Sequence, residues 1–148
     1  LKVHSLVLEL TGKKEPADGL QGKFSVYHGC AVGLIFGRAG EHEFSDAIVN
    51  RPDVVELRRK IVATVDDRID EASVDVTAIL SGGKREHVFV EHAIGSLQRP
   101  MTDAQLEAKF EQLSEPVLGA DKTRSLIAAA WKIGDSPNVR GLTDLSRP

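Results

Sequence analysis

The sequence predicts an α+β fold, in which a small antiparallel sheet is packed with helices and the C-terminal third is helical. Three observations lead to this prediction. Apolar and polar residues alternate on both sides of Gly82-Gly83, which is typical of a β-hairpin. An apolar segment follows Ser25. Helix-start signals recur near Thr102 and Asp121. We expect all 148 residues to form a single domain.

The composition argues against several classes of protein. A net charge of −3, with acidic and basic residues interspersed, and an aromatic content of 5% disfavour nucleic-acid binding. The longest apolar stretch, residues 29–36, is far shorter than the roughly 20 residues that span a bilayer. The only cysteine, Cys30, cannot form an internal disulfide, which favours a reducing compartment. We therefore expect a cytoplasmic protein that binds neither nucleic acid nor membrane.

The elements before Ser25 are short. Residues 1–4 alternate like the end of a strand, and residues 6–10 suit either a short helix or an extension of that strand. Residues 13–22 are rich in Lys, Pro, Asp and Gly, which predicts a loop.

The apolar helix that follows has clear ends. Ser25 is a good N-cap, and the helix should stop at Gly37. Gly29, Gly33 and Gly37 recur every fourth residue, so one face would consist of bare backbone. Such a face lets another element approach closely, and we expect this helix to be central.

A second helical region comes next. Residues 44–49 suit one or two helical turns, and Pro52 suits the first position of a further helix. The apolar face of that helix would carry Val54, Leu57 and Ile61. Its C-terminal end would carry the basic residues Arg58, Arg59 and Lys60. A short strand is expected near residues 62–65.

The register of the hairpin predicts its turn. The apolar residues that share a face are Val74, Val76, Ala78 and Leu80 on the first arm and Val88 and Val90 on the second. A two-residue loop would pair residue 76 with 89 and separate the valines, whereas an odd loop pairs residue 76 with 88 or 90. We predict a three-residue loop within residues 81–84.

The last third carries signals for two helices. Residues 102–105 read as a capping box, and Pro116 should end or kink the helix that they start. Asp121 can cap the second helix, which should stop at Gly134. Residues 135–148 are expected to be irregular.

Polar side chains cluster at the start of the apolar helix. The unpaired N–H groups and positive dipole end of a helix attract anions, and Lys23 adds a formal charge there. We expect Lys23 and Ser25 to hold a carboxylate, with Tyr27 or His28 available for hydrogen bonding or proton transfer. The structural alternative is that Ser25 only caps, Lys23 is solvated, and the two rings are half-buried with satisfied polar tips.

The remaining candidates are weaker. His87 and His92 lie five residues apart, hence on opposite faces of a strand, so they do not form a metal pair. Cys30 lacks a neighbouring base and is expected to be packed. The acidic run at residues 66–71 lacks the spacing of a calcium loop, and no phosphate-loop pattern occurs. We expect no metal site.

Several stretches of the chain carry a family resemblance through their order and spacing. They are Leu8-Glu9-Leu10-Thr11-Gly12, Gly22-Lys23-Phe24-Ser25-Val26-Tyr27-His28, Gly37-Arg38-Ala39-Gly40, Phe44-Ser45-Asp46 and residues 95–110. Together they resemble the MmgE/PrpD family, which includes 2-methylcitrate dehydratase, iminodisuccinate epimerase and cis-aconitate decarboxylase. The resemblance covers nearly the whole chain.

The resemblance implies the C-terminal part of such an enzyme, namely the smaller α+β lid domain with terminal helices. Family members are cofactor-free and usually dimeric, and they act on small di- or tricarboxylates by proton abstraction followed by elimination, decarboxylation or epimerisation. Their site lies between this lid and an N-terminal helical domain, absent here, that holds most of the acid/base residues. Lys23, Ser25, Tyr27 and His28 are the lid's implied contribution. The chain opens at Leu1 without Met, which also favours a piece of a longer polypeptide.

The sequence therefore predicts a lid of an MmgE/PrpD-type lyase or isomerase that lacks turnover by itself. The alternative is a stand-alone α+β module that binds an anion at the same helix end, without catalysis. In the absence of a helical domain, the glycine face or the helix that carries Trp131 should expose an apolar patch and self-associate.

Overall fold

The elements of the fold follow one another along a chain whose structure, a computed structural model, describes residues 1–148. In order they are β1 (Lys2–Val3), α1 (Ser5–Thr11), α2 (Gly19–Gly22), α3 (Val26–Phe36), α4 (Asp46–Val49), α5 (Pro52–Lys60), β2 (Thr64–Val65), β3 (Val74–Ile79), β4 (Arg85–Val90), α6 (Asp103–Leu118), α7 (Ala120–Trp131) and α8 (Arg140–Leu145), with 3₁₀ turns at His42–Phe44 and Ile133–Asp135. This content confirms the α+β class. No helix has the length and apolar character needed to cross a bilayer.

Backbone contacts divide the chain into two compact units, Leu1–Arg99 and Pro100–Pro148. The first holds the whole sheet together with α1 to α5, and the second is helical. The expectation that residues 1–148 form one domain of a larger enzyme stays a prediction.

The four-stranded sheet has the order β2-β1-β3-β4 and is mixed. β1 pairs with β2 in parallel, while β1 with β3 and β3 with β4 are antiparallel. The expectation of a purely antiparallel sheet is therefore corrected at β2. The physical reason is the connection, because five helices lie between β1 and β2 and supply the long crossover that a parallel pair requires.

The β3–β4 hairpin has the predicted register. Val76 pairs with Val88, so the apolar residues share a face. Leu80 N–H donates to the Lys84 carbonyl at 2.9 Å, and Gly83 N–H donates to the Leu80 carbonyl at 2.8 Å. The three residues between Leu80 and Lys84 form the loop, and Gly83 takes a φ of 78°. A three-residue loop with glycine in the left-handed position suits the twist of the arms.

The core of the first unit lies where α3, α4 and α5 meet. The buried apolar residues are Ala31, Val32, Ile48 and Val54, and the partly buried ones packed on them are Ile35, Phe36, Leu57 and Ile61. Both ends of α3 and the start of α5 are as predicted: Ser25 caps α3, Gly37 ends it with a φ of 68°, and Pro52 occupies the first turn of α5.

The glycine face of α3 is open, which corrects the expectation of a close approach there. A Cβ added at Gly29 or Gly33 would meet nothing within 4 Å. Close packing occurs instead within the segment expected to be a loop, whose last residues form α2. A Cβ at Gly19 would lie 2.1 Å from the Phe44 carbonyl oxygen. One at Gly22 would lie 2.9 Å from a Val49 methyl.

The second unit begins with the predicted capping box. The side chain of Thr102 accepts from the N–H of Gln105, whose side chain accepts from the N–H of Thr102. α6 then runs through Pro116 and ends two residues later. Proline at this position removes a helical hydrogen bond and crowds the carbonyl of residue 112, and α6 continues for only two residues beyond it.

Two expectations for the second unit are corrected. The N-cap of α7 is Gly119, with a φ of 79°, and not Asp121, which lies in the first turn and pairs with Arg124. A carboxylate there still favours the helix through its dipole. The tail, expected to be irregular, contains the six-residue helix α8.

Candidate functional site

The amino end of α3 is built around Ser25. Its backbone is extended, with φ −129°, and its Oγ accepts a hydrogen bond from His28 N–H at 3.1 Å. Its carbonyl oxygen accepts from Gly29 N–H at 3.0 Å. Gly12 and Ser25 form an isolated antiparallel bridge, and Lys13 N–H donates to the Phe24 carbonyl at 3.3 Å, so the segment around Gly12 packs against this end of the helix. Ser25 itself is only 4% exposed.

Lys23 is the exposed cation of this end. Its Nζ lies 3.0 Å from both carboxylate oxygens of Glu41. The side chain of Lys23 is 45% exposed and that of Glu41 is 65% exposed. Exposed ion pairs of this kind contribute little to stability, so an external carboxylate can exchange with Glu41 at small cost.

Tyr27 is 3% exposed, and its ring lies 5.9 Å from the Nζ of Lys14. The hydroxyl makes no hydrogen bond within the chain, yet it is not among the fully enclosed polar atoms that lack a partner. With 3% of the residue exposed, the protein covers Tyr27 almost completely. An unbonded phenol can donate a hydrogen bond to a group that reaches it.

His28 is fully buried, with 0% exposure. Its Nε2 lies 2.9 Å from the Glu43 carbonyl oxygen, and its Nδ1 lies 3.5 Å from Nη1 of Arg58. Phe44 packs against the ring edge to face. Burial lowers the pKa of His28, the Glu43 bond opposes that effect, and Arg58 adds to it. The ring is therefore neutral at pH 7, with the proton on Nε2.

The carboxylate of Glu43 holds the segment that connects α3 to α4. Arg38 Nε donates to Oε1 at 2.9 Å, and Gly40 N–H donates to Oε2 at 2.9 Å. Burial of Glu43 acts to raise its pKa, but the Gly40 and Arg38 hydrogen bonds outweigh burial, and the pKa is lowered. The side chain is thus ionised and hydrogen-bonded inside the protein.

Arg58 is the residue of this cluster that sequence reasoning missed. It was expected at the basic end of α5, but it is only 5% exposed. Its Nη1 donates to the Val49 carbonyl at 3.0 Å. The signal was available in the spacing, because Val54, Arg58 and Ile61 are three and four residues apart and share one helix face.

The four predicted site residues therefore lie together but face different ways. Lys23 is exposed, Tyr27 is buried with its hydroxyl unbonded, and Ser25 and His28 are buried and hydrogen-bonded to the protein. Of the four, only Lys23 is exposed in this structure.

The other candidates lie apart from this end of α3. His87 Nε2 is 3.0 Å from the Asp75 carboxylate on the sheet surface. No group of three or more metal-binding side chains occurs in residues 1–148. Cys30 is partly buried, and burial raises the pKa of its thiol, which makes it a poor nucleophile.

The second unit has an apolar groove of about 430 Å³ between α6 and α7. Its apolar lining consists of Leu106, Phe110, Leu113, Ile127, Ala130 and Trp131. At one side the Trp131 indole N–H donates to the Glu107 carboxylate at 2.6 Å.

Comparison with known families agrees with the resemblance of the segments around Lys23, Arg38 and Thr102. The family model of the MmgE/PrpD C-terminal domain matches residues 1–133. A search of curated proteins returned no match. The family match takes in both units, including α3, α5 and the helices α6 and α7. The chain therefore belongs to the MmgE/PrpD family, whose C-terminal domain it contains.

Proposed function

We propose that this chain is the lid part of a dimeric MmgE/PrpD-type lyase or isomerase in the cytoplasm. Its substrate would be a small di- or tricarboxylate, processed without a cofactor by dehydration, decarboxylation or epimerisation. The observation that supports this proposal is the family match over residues 1–133. An N-terminal helical domain would supply most of the acid/base residues.

In this proposal Lys23 binds a carboxylate of the substrate. Its ammonium is exposed and lies two residues before the N-cap of α3, near the positive end of the helix. A charge-assisted hydrogen bond to a carboxylate is about twice as strong as a neutral one. The substrate would replace Glu41 on Lys23.

We propose different roles for Tyr27 and His28. The Tyr27 hydroxyl would donate a hydrogen bond, or a proton, to the substrate. His28 would act as a positioning residue, because Glu43 and Arg58 occupy its two ring nitrogens. Ser25 would likewise position the first turn of α3 through its bond to His28 N–H.

The first test is an assay of the isolated chain on citrate-like acids. The isolated chain should show no turnover. Turnover should appear when the chain is joined to the N-terminal helical domain of an MmgE/PrpD-type enzyme. Dehydratase, decarboxylase or epimerase activity of the isolated chain at the rate of a full-length enzyme would refute the lid assignment.

The second test is Lys23→Gln in the enzyme that contains the helical domain. The KM for the substrate should rise about tenfold, the typical effect of losing one hydrogen bond to a charged group. Lys60→Gln is the matched control, since Lys60 forms an exposed pair with Glu56 on α5. Equal effects of the two changes would remove Lys23 from the site.

The alternative function is a stand-alone module that binds an anion without catalysis. The observation that favours it is the exposed ammonium of Lys23 at a helix end formed within this chain alone. The sequence upstream of Leu1 discriminates the two proposals. An in-frame helical domain of the MmgE/PrpD type supports the lid, and a start codon close by supports the module.

A further inference from the structure

β4 forms one edge of the sheet, and its outer side has no neighbouring strand. The sheet order is β2-β1-β3-β4, so β4 pairs only with β3. Residues 85–89 are all exposed. A strand edge presents a row of unpaired N–H and C=O groups, which can pair with a strand of another chain. β4 is six residues long and contains neither a proline nor a bulge that would prevent such pairing.

The hydrogen bonding of the hairpin shows which backbone groups of β4 face outward. Leu80 N–H donates to the Lys84 carbonyl, so the backbone groups of this pair face each other between the two arms. Inward and outward positions alternate along an antiparallel ladder, so Val88, four residues after Lys84, also bonds to β3. The N–H and C=O groups of His87 and Phe89 therefore point away from β3, toward the free edge.

Two exposed side chains of opposite charge lie at the two ends of this edge. Arg85 begins β4 and forms no ion pair within the chain. Glu91 follows the last residue of β4, and its side chain is 75% exposed. The nearest cationic group to Glu91 is the ring of His92, at 4.0 Å. Arg85 and Glu91 are six residues apart, so they lie on the same face of the strand.

We propose that β4 pairs antiparallel with β4 of a second copy of this chain, around a twofold axis beside Val88. In this register His87 of one copy lies opposite Phe89 of the other, and their outward N–H and C=O groups bond to each other. Arg85 lies opposite Glu91 of the other copy, once on each side of the axis. The inference rests on the proposed function only for the expectation of a dimer, and it is independent of the reaction.

Symmetry and charge select this register. A twofold axis keeps each face of β4 on one side of the joined sheet, so the axis passes beside a residue and not between two residues. An axis beside His87 would place Arg85 opposite Phe89. An axis beside Phe89 would place Arg85 opposite Ala93, beyond the end of the strand. Only the axis beside Val88 places Arg85 opposite a carboxylate, and opposite charges on facing strands stabilise the pairing.

The first test is hydrogen exchange of individual backbone N–H groups, followed by NMR at several concentrations of the 148-residue chain. In dilute solution the N–H groups of His87 and Phe89 should exchange rapidly, whereas that of Val88 should be protected by its bond to β3. The N–H groups of His87 and Phe89 should become protected as the concentration rises. Association that leaves both unprotected, or a chain that stays monomeric, would overturn the inference.

The second test is Phe89→Pro, with Phe89→Gln as the matched control. Proline has no N–H, and the N–H of Phe89 faces outward, so the bonds between β3 and β4 should remain. The dissociation constant of the dimer should rise at least about tenfold, because each dimer loses two hydrogen bonds. Phe89→Gln keeps the N–H and should change the constant little. Equal constants for the two variants would contradict the pairing.

Two measurements keep this comparison interpretable. Protection of the Val88 N–H in the Phe89→Pro variant verifies that the hairpin is intact. Both variants are made together with Phe110→Gln, so that the groove between α6 and α7 contributes less to the association.

The third test exchanges the charges of the proposed ion pairs. Arg85→Glu alone, or Glu91→Arg alone, places like charges opposite each other on both sides of the axis and should weaken the dimer about tenfold. The two changes made together restore opposite charges and should return most of the affinity. A double variant as weak as the single variants would overturn this register.

The outcomes separate this inference from the proposed function. If the N–H groups of His87 and Phe89 stay unprotected while the chain joined to the helical domain turns over its substrate, the inference fails and the lid assignment stands. If these N–H groups become protected and the joined chain shows no turnover, the inference stands and the lid assignment fails.

Discussion

Nη1 of Arg58 lies 3.5 Å from Nδ1 of His28, so a cation faces the ring nitrogen that carries no proton. The other nitrogen, Nε2, is 2.9 Å from the Glu43 carbonyl oxygen. Only a neutral imidazole with its proton on Nε2 suits both neighbours. This pair of contacts joins α3 to α5 and to the 3₁₀ turn at His42–Phe44, and it makes His28 sensitive to acid.

Acid is expected to lower the free energy of unfolding through His28. Burial lowers its pKa below the ordinary value of 6.5, and the nearby Arg58 adds to that effect. The unfolded chain therefore takes up this proton at a higher pH than the folded chain. The contribution to stability is complete above pH 6.5 and is lost as the pH falls toward the folded pKa. Urea unfolding measured from about pH 7.5 to about pH 5 should show this decline.

His28→Gln provides the control for that experiment. Glutamine can still donate to the Glu43 carbonyl but does not titrate, so the loss of stability over the same pH range should be smaller. An unchanged slope in the variant would assign the acid sensitivity to other groups.

Loss of the Glu43 charge should destabilise the first unit. Glu43→Gln leaves Arg38 and Gly40 with a weaker, partly mismatched partner inside the protein, and the expected cost is about 1–3 kcal/mol. Glu41→Gln, two residues earlier, breaks only an exposed pair and should cost under about 1 kcal/mol. Urea denaturation of both variants checks the difference, and equal costs would contradict a stabilising role of the buried Glu43 carboxylate.

The hairpin loop should tolerate a side chain at one glycine and not at its neighbour. Gly83 has a φ of 78°, so Gly83→Ala should cost about 1–2 kcal/mol. Gly82 does not have a positive φ and has open space around it, so Gly82→Ala should be nearly neutral. Thermal unfolding of the two variants measures the effect. A neutral Gly83→Ala would mean that the loop has another conformation.

The exposed groove between α6 and α7 is expected to promote self-association of the isolated chain. Phe110 lies in its lining, and apolar patches of this kind rarely stay uncovered. Analytical sedimentation should give an apparent mass that rises with protein concentration. Phe110→Gln should make that rise smaller. Phe89→Gln, which removes an exposed phenylalanine from β4, is the control. A monomer at every concentration would contradict the expectation.

Features set by neighbours in the chain were predictable. The Ser25 cap, the glycine end of α3, Pro52 at the start of α5 and the Thr102 capping box each depend on a few adjacent residues. The three-residue hairpin loop followed from the valine pattern, because a shift of one residue would move every side chain to the other face.

Features that depend on packing between distant segments were not predictable in the same way. The sequence placed Lys23, Ser25, Tyr27 and His28 on one helix start, but it could not say that His28 would face the core. That orientation depends on Glu43 and Arg58, which are 15 and 30 residues further along the chain.

By itself, then, the sequence determined the α+β class, both ends of α3, the starts of α5 and α6, the hairpin register and the family of the chain. Only the tertiary structure decided that Arg58 is buried beside His28, and that the glycine face of α3 is open. The physical reason is how far apart in the sequence the interacting residues lie. Caps and registers are selected by local hydrogen bonds and periodicity, whereas burial of a charge depends on which distant segments fold over it.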